Sequence, residues 1–231
     1  MRVALTQSGG ALIGLDDALR ERGFNVVRHP LIQTKTLSTE EVRLAARRLL
    51  ECPWLLFTSL KAVNAWQDLG LSWTKHQGAV GETTAQALCD KGANVSLVAA
   101  PPTSEGLADS FLNHKDAAAP VGLPRGNQAL KIVETLLSAH NFATKPLTVY
   151  QTDALPWTLH DIDIVLLSSP SAVKALPRNV GQMSRLIALG PSTAQAITKR
   201  GWTCLQAEAP TLESLLELFE KEVKHAHQRK G

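Results

Sequence analysis

With 231 residues, 44% hydrophobic and 19% charged, the chain has enough apolar material for a sizeable core, as one large domain or two smaller ones. Its formal net charge is +3 and no basic stripe is interleaved with aromatics, so nucleic acid is not an expected partner; no apolar run approaches the ~20 residues of a membrane span. The amino terminus reads as a strand with no leader pattern, and Cys52, Cys89 and Cys204 are scattered, which fits buried thiols in a reducing compartment better than a disulfide framework and leads us to expect a cytoplasmic setting.

The predicted elements alternate along the chain. Residues 3–6 read as a strand, 12–22 as a helix and 26–28 as a strand. Residues 31–36 are extended, and 40–50 form a helix opened by the capping-box pattern Ser38-Thr39-Glu40-Glu41. There follow strand 54–58, helix 62–69, strand 78–80, helix 84–91 and strand 95–98. Beyond these come strand 121–124, helix 128–139, the extended stretch 147–153, strands 164–167 and 186–189, and helix 193–200. Gly23, Gly92 and Gly201 each follow a basic residue, as glycines at helix C-termini do. Alternation of this kind implies parallel sheets covered by helices on both faces.

The chain also contains its own duplicate. Leu56-Phe57-Thr58-Ser59-Leu60-Lys61-Ala62-Val63 returns as Leu166-Leu167-Ser168-Ser169-Pro170-Ser171-Ala172-Val173, 110 residues later (59 to 169). Val80-Gly81-Glu82-Thr83-Thr84-Ala85 returns as Leu189-Gly190-Pro191-Ser192-Thr193-Ala194 at 109 (81 to 190), and Pro102-Thr103 as Pro210-Thr211 at 108 (102 to 210). Three segments in one order mark a repeated unit. Two lobes are therefore expected, with a cleft between them as the place of action. Each copy is preceded by a strand–helix unit, 2–28 and 121–142. The lobes either run end to end or exchange these units, and the residues alone leave both open.

Each copy ends a strand in small hydroxyl residues and then starts a helix, at Thr58-Ser59 and Ser168-Ser169, and again after Gly81 and Gly190. Free N–H groups at such helix starts suit anions, and Ser and Thr hydroxyls add donors; simple N-capping uses the same residue types. Four such starts, paired between two lobes, point to one polyanion gripped from both sides. Ser171-Ala172-Val173-Lys174 has the spacing of a serine acyltransferase, but the supporting Ser-Asp-Asn and Lys-Thr-Gly motifs are missing. Ser8-Gly9-Gly10 is too brief for a nucleotide loop. Lys224-His225-Ala226-His227-Gln228-Arg229-Lys230 reads as a solvated helix end, with a His-x-His metal site as the alternative. No metal or dinucleotide cofactor is expected.

In their order, Phe57-Thr58-Ser59-x-x-Ala62-Val63, Val80-Gly81-x-x-Thr84-Ala85, Ser104-Glu105-Gly106-Leu107, Leu123-Pro124-Arg125-Gly126, Val149-Tyr150-x-Thr152, Ser168-Ser169-Pro170-Ser171-Ala172-Val173 and Gly190-Pro191-x-Thr193-Ala194 resemble the uroporphyrinogen-III synthase family. One departure stands at the first strand, where the family usually has Thr-Arg-Pro and this chain has Thr6-Gln7-Ser8. The resemblance implies a duplicated, flavodoxin-like α/β fold: residues 1–30 plus 154–231 as one lobe, 37–146 as the other, and 31–36 with 147–153 as paired linker strands. It also implies a monomeric, cofactor-independent cyclising lyase of tetrapyrrole (haem) biosynthesis, which converts hydroxymethylbilane to uroporphyrinogen III with loss of water and inversion of the terminal pyrrole ring. The competing class is a non-enzymatic two-lobed anion-binding module. Tyr150, the one tyrosine of the chain, is the expected catalytic residue, aiding departure of the hydroxyl group. Ser59, Lys61, Thr84, Ser169, Ser171, Ser192 and Thr193 are expected substrate contacts. Arg125 would bind a carboxylate or make a structural pair.

Overall fold

The computed structural model describes residues 1–7 and 12–228, with side chains as far as Lys221. The chain forms two compact units, Met1–Gln33 with Asp153–Gly231, and Thr34–Thr152. It starts in the first unit with β1 (Arg2–Leu5), α1 (Leu15–Glu21) and β2 (Asn25–Arg28). It enters the second through β3 (Ile32–Thr36) and there builds α2 (Glu40–Leu49), β4 (Trp54–Phe57), α3 (Leu60–Asp68), β5 (His76–Ala79) and α4 (Glu82–Asp90). The same unit continues with β6 (Val95–Val98), α5 (Ser104–Leu112), β7 (Val121–Gly126), α6 (Ile132–Ala139) and β8 (Thr144–Ala154). The first unit is completed by β9 (Ile164–Leu167), α7 (Pro170–Ala175), α8 (Arg178–Met183), β10 (Arg185–Ala188), α9 (Pro191–Lys199), β11 (Cys204–Gln206) and α10 (Leu212–Gln228).

The first unit holds a five-stranded sheet in the order β11-β10-β9-β1-β2, and the second a six-stranded sheet in the order β3-β8-β7-β4-β5-β6. The N-terminal strand β1 is thus parallel to β9 on one side, through Val3↔Ile164, and to β2 on the other. The ladders β4–β5, β4–β7, β5–β6 and β7–β8 are parallel as well. The chain crosses from unit to unit inside β3 and β8, which are neighbours in the second sheet.

Strand period explains why both faces of each sheet are covered. In β4, Leu55 and Phe57 project into one cluster with Ala62, Val63 and Trp66 of α3. Trp54 and Leu56 project into another with Leu107 and Phe111 of α5 and Val133 and Leu137 of α6. Successive side chains of a strand point to opposite faces, so an unbroken apolar run is what a strand packed on both sides needs. Strand β9 repeats this, with Ile164 and Leu166 facing Leu15, Leu19 and Phe219, and Val165 and Leu167 facing Ala172, Val173 and Ile197.

Local chemistry sets the helix ends. Thr39, Ser59, Thr103 and Ser169 cap α2, α3, α5 and α7 by accepting a first-turn N–H, the role for which hydroxyl residues are favoured. Past α4 and α9, Gly92 and Gly201 take φ of 77° and 74°, a left-handed turn open to glycine at little cost. Helix α6 begins at Ile132, four residues later than the sequence predicted, because residues 126–129 turn back on themselves through Ala129 N–H to Gly126 O and the Asn127 and Gln128 amides bind β8. Among the described residues no helix is long and apolar enough to cross a membrane.

The motif glycine Gly106 has a steric cause. A Cβ placed there would lie 2.1 Å from the Pro101 carbonyl oxygen, a backbone atom with no freedom to swing aside. Gly106→Ala is therefore expected to destabilise the second unit by roughly 1–3 kcal/mol. Urea unfolding would read this as a lower midpoint at unchanged slope; an unshifted midpoint would contradict the close packing of α5 on Pro101.

Candidate active site

With both faces of a sheet covered by helices, polar side chains gather where the strands end. In the second unit the backbone leaves β4 through Thr58 and Ser59. Ser59 is extended, and its Oγ accepts the Ala62 N–H at 3.2 Å over the first turn of α3. In the next strand, Gly126 ends β7 opposite Tyr150 of β8. A Cβ at Gly126 would lie 2.4 Å from Tyr150 Cζ and 2.7 Å from its Oη, so the phenol occupies the space that any side chain at 126 would need. The half-buried ring also packs on the cluster built from Phe57, Val63 and Val149. Its Oη lies 3.2 Å from Ser59 Oγ. Glycine and core thus fix the ring, and the capping serine meets its hydroxyl.

Two residues further along β8, buried Thr152 is held by the loop after β7. Asn127 Oδ1 accepts the Thr152 N–H at 3.0 Å, Gln128 Nε2 donates to Thr152 O at 2.9 Å, and the Asn127 N–H donates to Tyr150 O at 3.1 Å. The Thr152 hydroxyl lies 3.3 Å from that of Thr34 on β3, to which Lys61 Nζ donates at 3.1 Å. Although much of Lys61 is exposed, partial burial of its ammonium lowers its pKa from the ordinary lysine value.

The other expected residues fall into separate places. Thr84 is buried in the first turn of α4, whose N-cap, Gly81, supplies no side-chain bond. Arg125 is ion-paired through Nη1 with Glu134 Oε1 of α6, both side chains largely buried. In the first unit Ser169 caps α7 by accepting Ala172 N–H at 3.2 Å, with half-buried Ser171 in the same first turn. Ser192 is exposed and Thr193 buried in the first turn of α9, whose N-cap Gly190 again supplies no side-chain bond. After β1, the Thr6 hydroxyl donates to Leu166 O at 2.7 Å. Gln7 is 5% exposed, and neither polar atom of its amide has a partner among the described residues.

The structure thus brings Ser59 and Tyr150 into direct contact and places Lys61 in a chain of hydroxyls that reaches β8. Thr84 and Arg125 sit on other elements of that unit. Sequence reasoning passed over Thr34, Asn127 and Gln128. Gly126 and Thr152 stood within motifs already singled out, whereas no spacing rule marks Asn127 or Gln128, whose amides act on strand backbone. Ser8-Gly9-Gly10 and the side chains of Lys224 to Lys230 lie outside the described residues.

Comparison with known proteins identifies the family and the fold. The family model described as Uroporphyrinogen-III synthase HemD matches residues 14–217. A Methanothermobacter thermautotrophicus protein, provisionally assigned as a uroporphyrinogen-III synthase, is 24% identical in an alignment 214 positions long that covers 81% of this chain and 85% of that one. Among solved structures, a mutant uroporphyrinogen III synthase of the extreme thermophile Thermus thermophilus superposes with a TM-score of 0.75 at 18% identity, covering 97% of this chain and 99% of that one. The uroporphyrinogen-III synthetase of Helicobacter pylori does so at 0.62 and 19%, covering 96% and 99%. At such identities the structural likeness is one of fold, duplicated α/β with parallel sheets. The match over residues 14–217, which takes in both copies of the repeat, establishes that the chain belongs to the uroporphyrinogen-III synthase family.

Proposed function

We propose that the chain cyclises hydroxymethylbilane to uroporphyrinogen III, and that Tyr150 supplies the proton on which the hydroxyl group departs. The observation that carries this reading is the Tyr150 hydroxyl, held against Ser59 at the amino end of α3. A phenol is a neutral donor at pH 7. Its proton passes to the leaving oxygen as the C–O bond breaks, so water leaves and a resonance-stabilised cation remains. Closure of the macrocycle with the terminal ring inverted then releases a proton from ring carbon, which returns to the phenolate. The net change is loss of one water, and the chain's contribution is orientation together with acid assistance.

The substrate is a flexible polycarboxylate. Lys61 and the helix-start residues Thr84, Ser169, Ser171, Ser192 and Thr193 are its proposed contacts, since free N–H groups, hydroxyls and a cation suit carboxylates; at Ser59 the proposed contact is through the free N–H groups of the turn it opens, because its hydroxyl is shared between Ala62 N–H and Tyr150. Arg125 belongs among them only by exchanging Glu134 for a substrate carboxylate.

Incubation with enzymatically made hydroxymethylbilane, followed by separation of the isomers, tests the reading. Isomer III is expected with the protein and isomer I, from spontaneous closure, without it. If isomer III never formed, an anion-binding module would remain as the account of the fold. Tyr150→Phe is expected to slow isomer III formation by roughly 10²-fold or less, the usual worth of acid catalysis, and unchanged turnover would remove Tyr150 from the chemistry.

The lowered pKa of Lys61 gives a second expectation. Its cation is lost at a lower pH than that of an ordinary lysine, so KM is expected to rise as the pH is raised through the alkaline range below that of a free lysine. Lys61→Arg, which stays charged, should flatten that rise. Equal rises in the two proteins would show that Lys61 does not bind substrate.

A further inference from the structure

We propose that Ser59 is a positioning residue acting through Tyr150: it stabilises the phenolate that Tyr150 becomes when its proton is given up. The inference rests on the catalytic reading of Tyr150 and extends it to the group behind the phenol.

Ser59 Oγ receives the Ala62 N–H at 3.2 Å and lies 3.2 Å from Tyr150 Oη. A serine hydroxyl has one proton to donate and two lone pairs. The cap occupies one lone pair, which leaves the proton for Tyr150. A hydroxyl already accepting a hydrogen bond is a stronger donor, since linked bonds polarise one another. A phenolate accepts without donating, so the Ser59–Tyr150 bond becomes charge-assisted as Tyr150 loses its proton, and charge-assisted bonds are roughly twice as strong as neutral ones. The nine-residue helix α3 starts at this serine, and the positive end of its dipole favours negative charge there. Every term grows as charge develops on Oη, so the contact helps the transition state more than bound substrate.

The arrangement is also rigid. Gly126 leaves room for the ring and Phe57 with Val63 backs it. The loop residue Asn127 holds the carbonyl of Tyr150 itself. The duplication supplies a comparison: Ser169 caps α7 with the same 3.2 Å bond, to Ala172 N–H, but the only tyrosine of the chain is the one bonded to Ser59. Capping by itself therefore does not account for the Tyr150 contact.

The test is a kinetic double-mutant cycle on isomer III formation, run on the full chain. Ser59→Ala and Ser59→Gly both remove the hydroxyl, and glycine is itself a good N-cap, far less costly to the helix than alanine. Both are expected to lower kcat about 10- to 100-fold, the range for a hydrogen bond to a charged group, with KM within about twofold. Ser59→Thr keeps the hydroxyl and should recover most of kcat. In a Tyr150→Phe background, Ser59→Gly should cause no further fall. Thr103→Ala, which removes the cap of α5, controls for cap loss and should leave kcat unchanged.

An equal fall of kcat on Ser59→Gly with Tyr150 intact and with Tyr150→Phe already in place would mean that Ser59 acts without Tyr150, and would overturn the proposal. So would an unchanged kcat in Ser59→Gly, or a change confined to KM. Failure of the underlying reading looks different: Tyr150→Phe would then turn over at the parental rate, or the unaltered protein would make no isomer III.

Discussion

Both sheets are packed on two faces, and this constraint governs what the molecule can do. In β4 and β9 every residue is buried, so these strands have no solvent face on which to mount chemistry. Polar groups with access to a ligand are confined to the places where strands hand over to helices. There the unpaired N–H groups of a first turn, the capping hydroxyls and the crossing strands meet. The hydroxyl-rich helix starts therefore serve two ends at once, since a serine that satisfies a buried backbone donor also presents an oxygen at the sheet margin.

The position of Tyr150 shows how an aromatic side chain is aimed from such a margin. It stands on β8, the longest strand among the described residues at 11 residues, which carries the backbone out of the second unit. A tyrosine on a strand of this kind would swing unless its ring were trapped. Gly126 and the cluster around Phe57 trap it, while Asn127 and Gln128 fix the strand on either side of Gln151. Residues without any chemistry of their own thus set the place of one hydroxyl. Lys61 is handled differently: its flexible stem reaches a chain of two threonine hydroxyls, and its charge is tuned by desolvation rather than by a partner charge.

Much of this was legible in the sequence, for reasons particular residues make plain. The apolar runs at Trp54–Phe57 and Ile164–Leu167 mark strands packed on both sides, and the duplicated Thr-Ser and Ser-Ser turns mark their carboxyl ends. The single tyrosine drew attention because it sat inside a motif. Other features were not legible. The pairing of β1 with β9 joins Val3 to Ile164, far apart in the chain; nothing in either strand names the other, and only the family resemblance pointed to an N-terminal unit joined to the C-terminal part. Helix α5 escaped notice because Gly106 in its first turn weakens the helical pattern, and its reason for being there, the Pro101 carbonyl, is visible only in three dimensions. Short helices α7 and α8 offer too few turns for a periodic signal. The contact of Ser59 with Tyr150 joins positions 91 residues apart, and either alone reads as a cap or a packed ring.

The central claim is that the Tyr150 phenol faces the reacting molecule, and the chain's single tyrosine makes it directly measurable. Tyrosine labelled with ¹³C at Cζ gives one ring resonance, with no assignment problem. On titration with uroporphyrinogen III, that line is expected to shift or broaden along the binding curve reported independently by tryptophan fluorescence, and to stop moving at saturation. A product that binds to saturation while the Tyr150 line stays where it was would place the chemistry elsewhere and contradict the account.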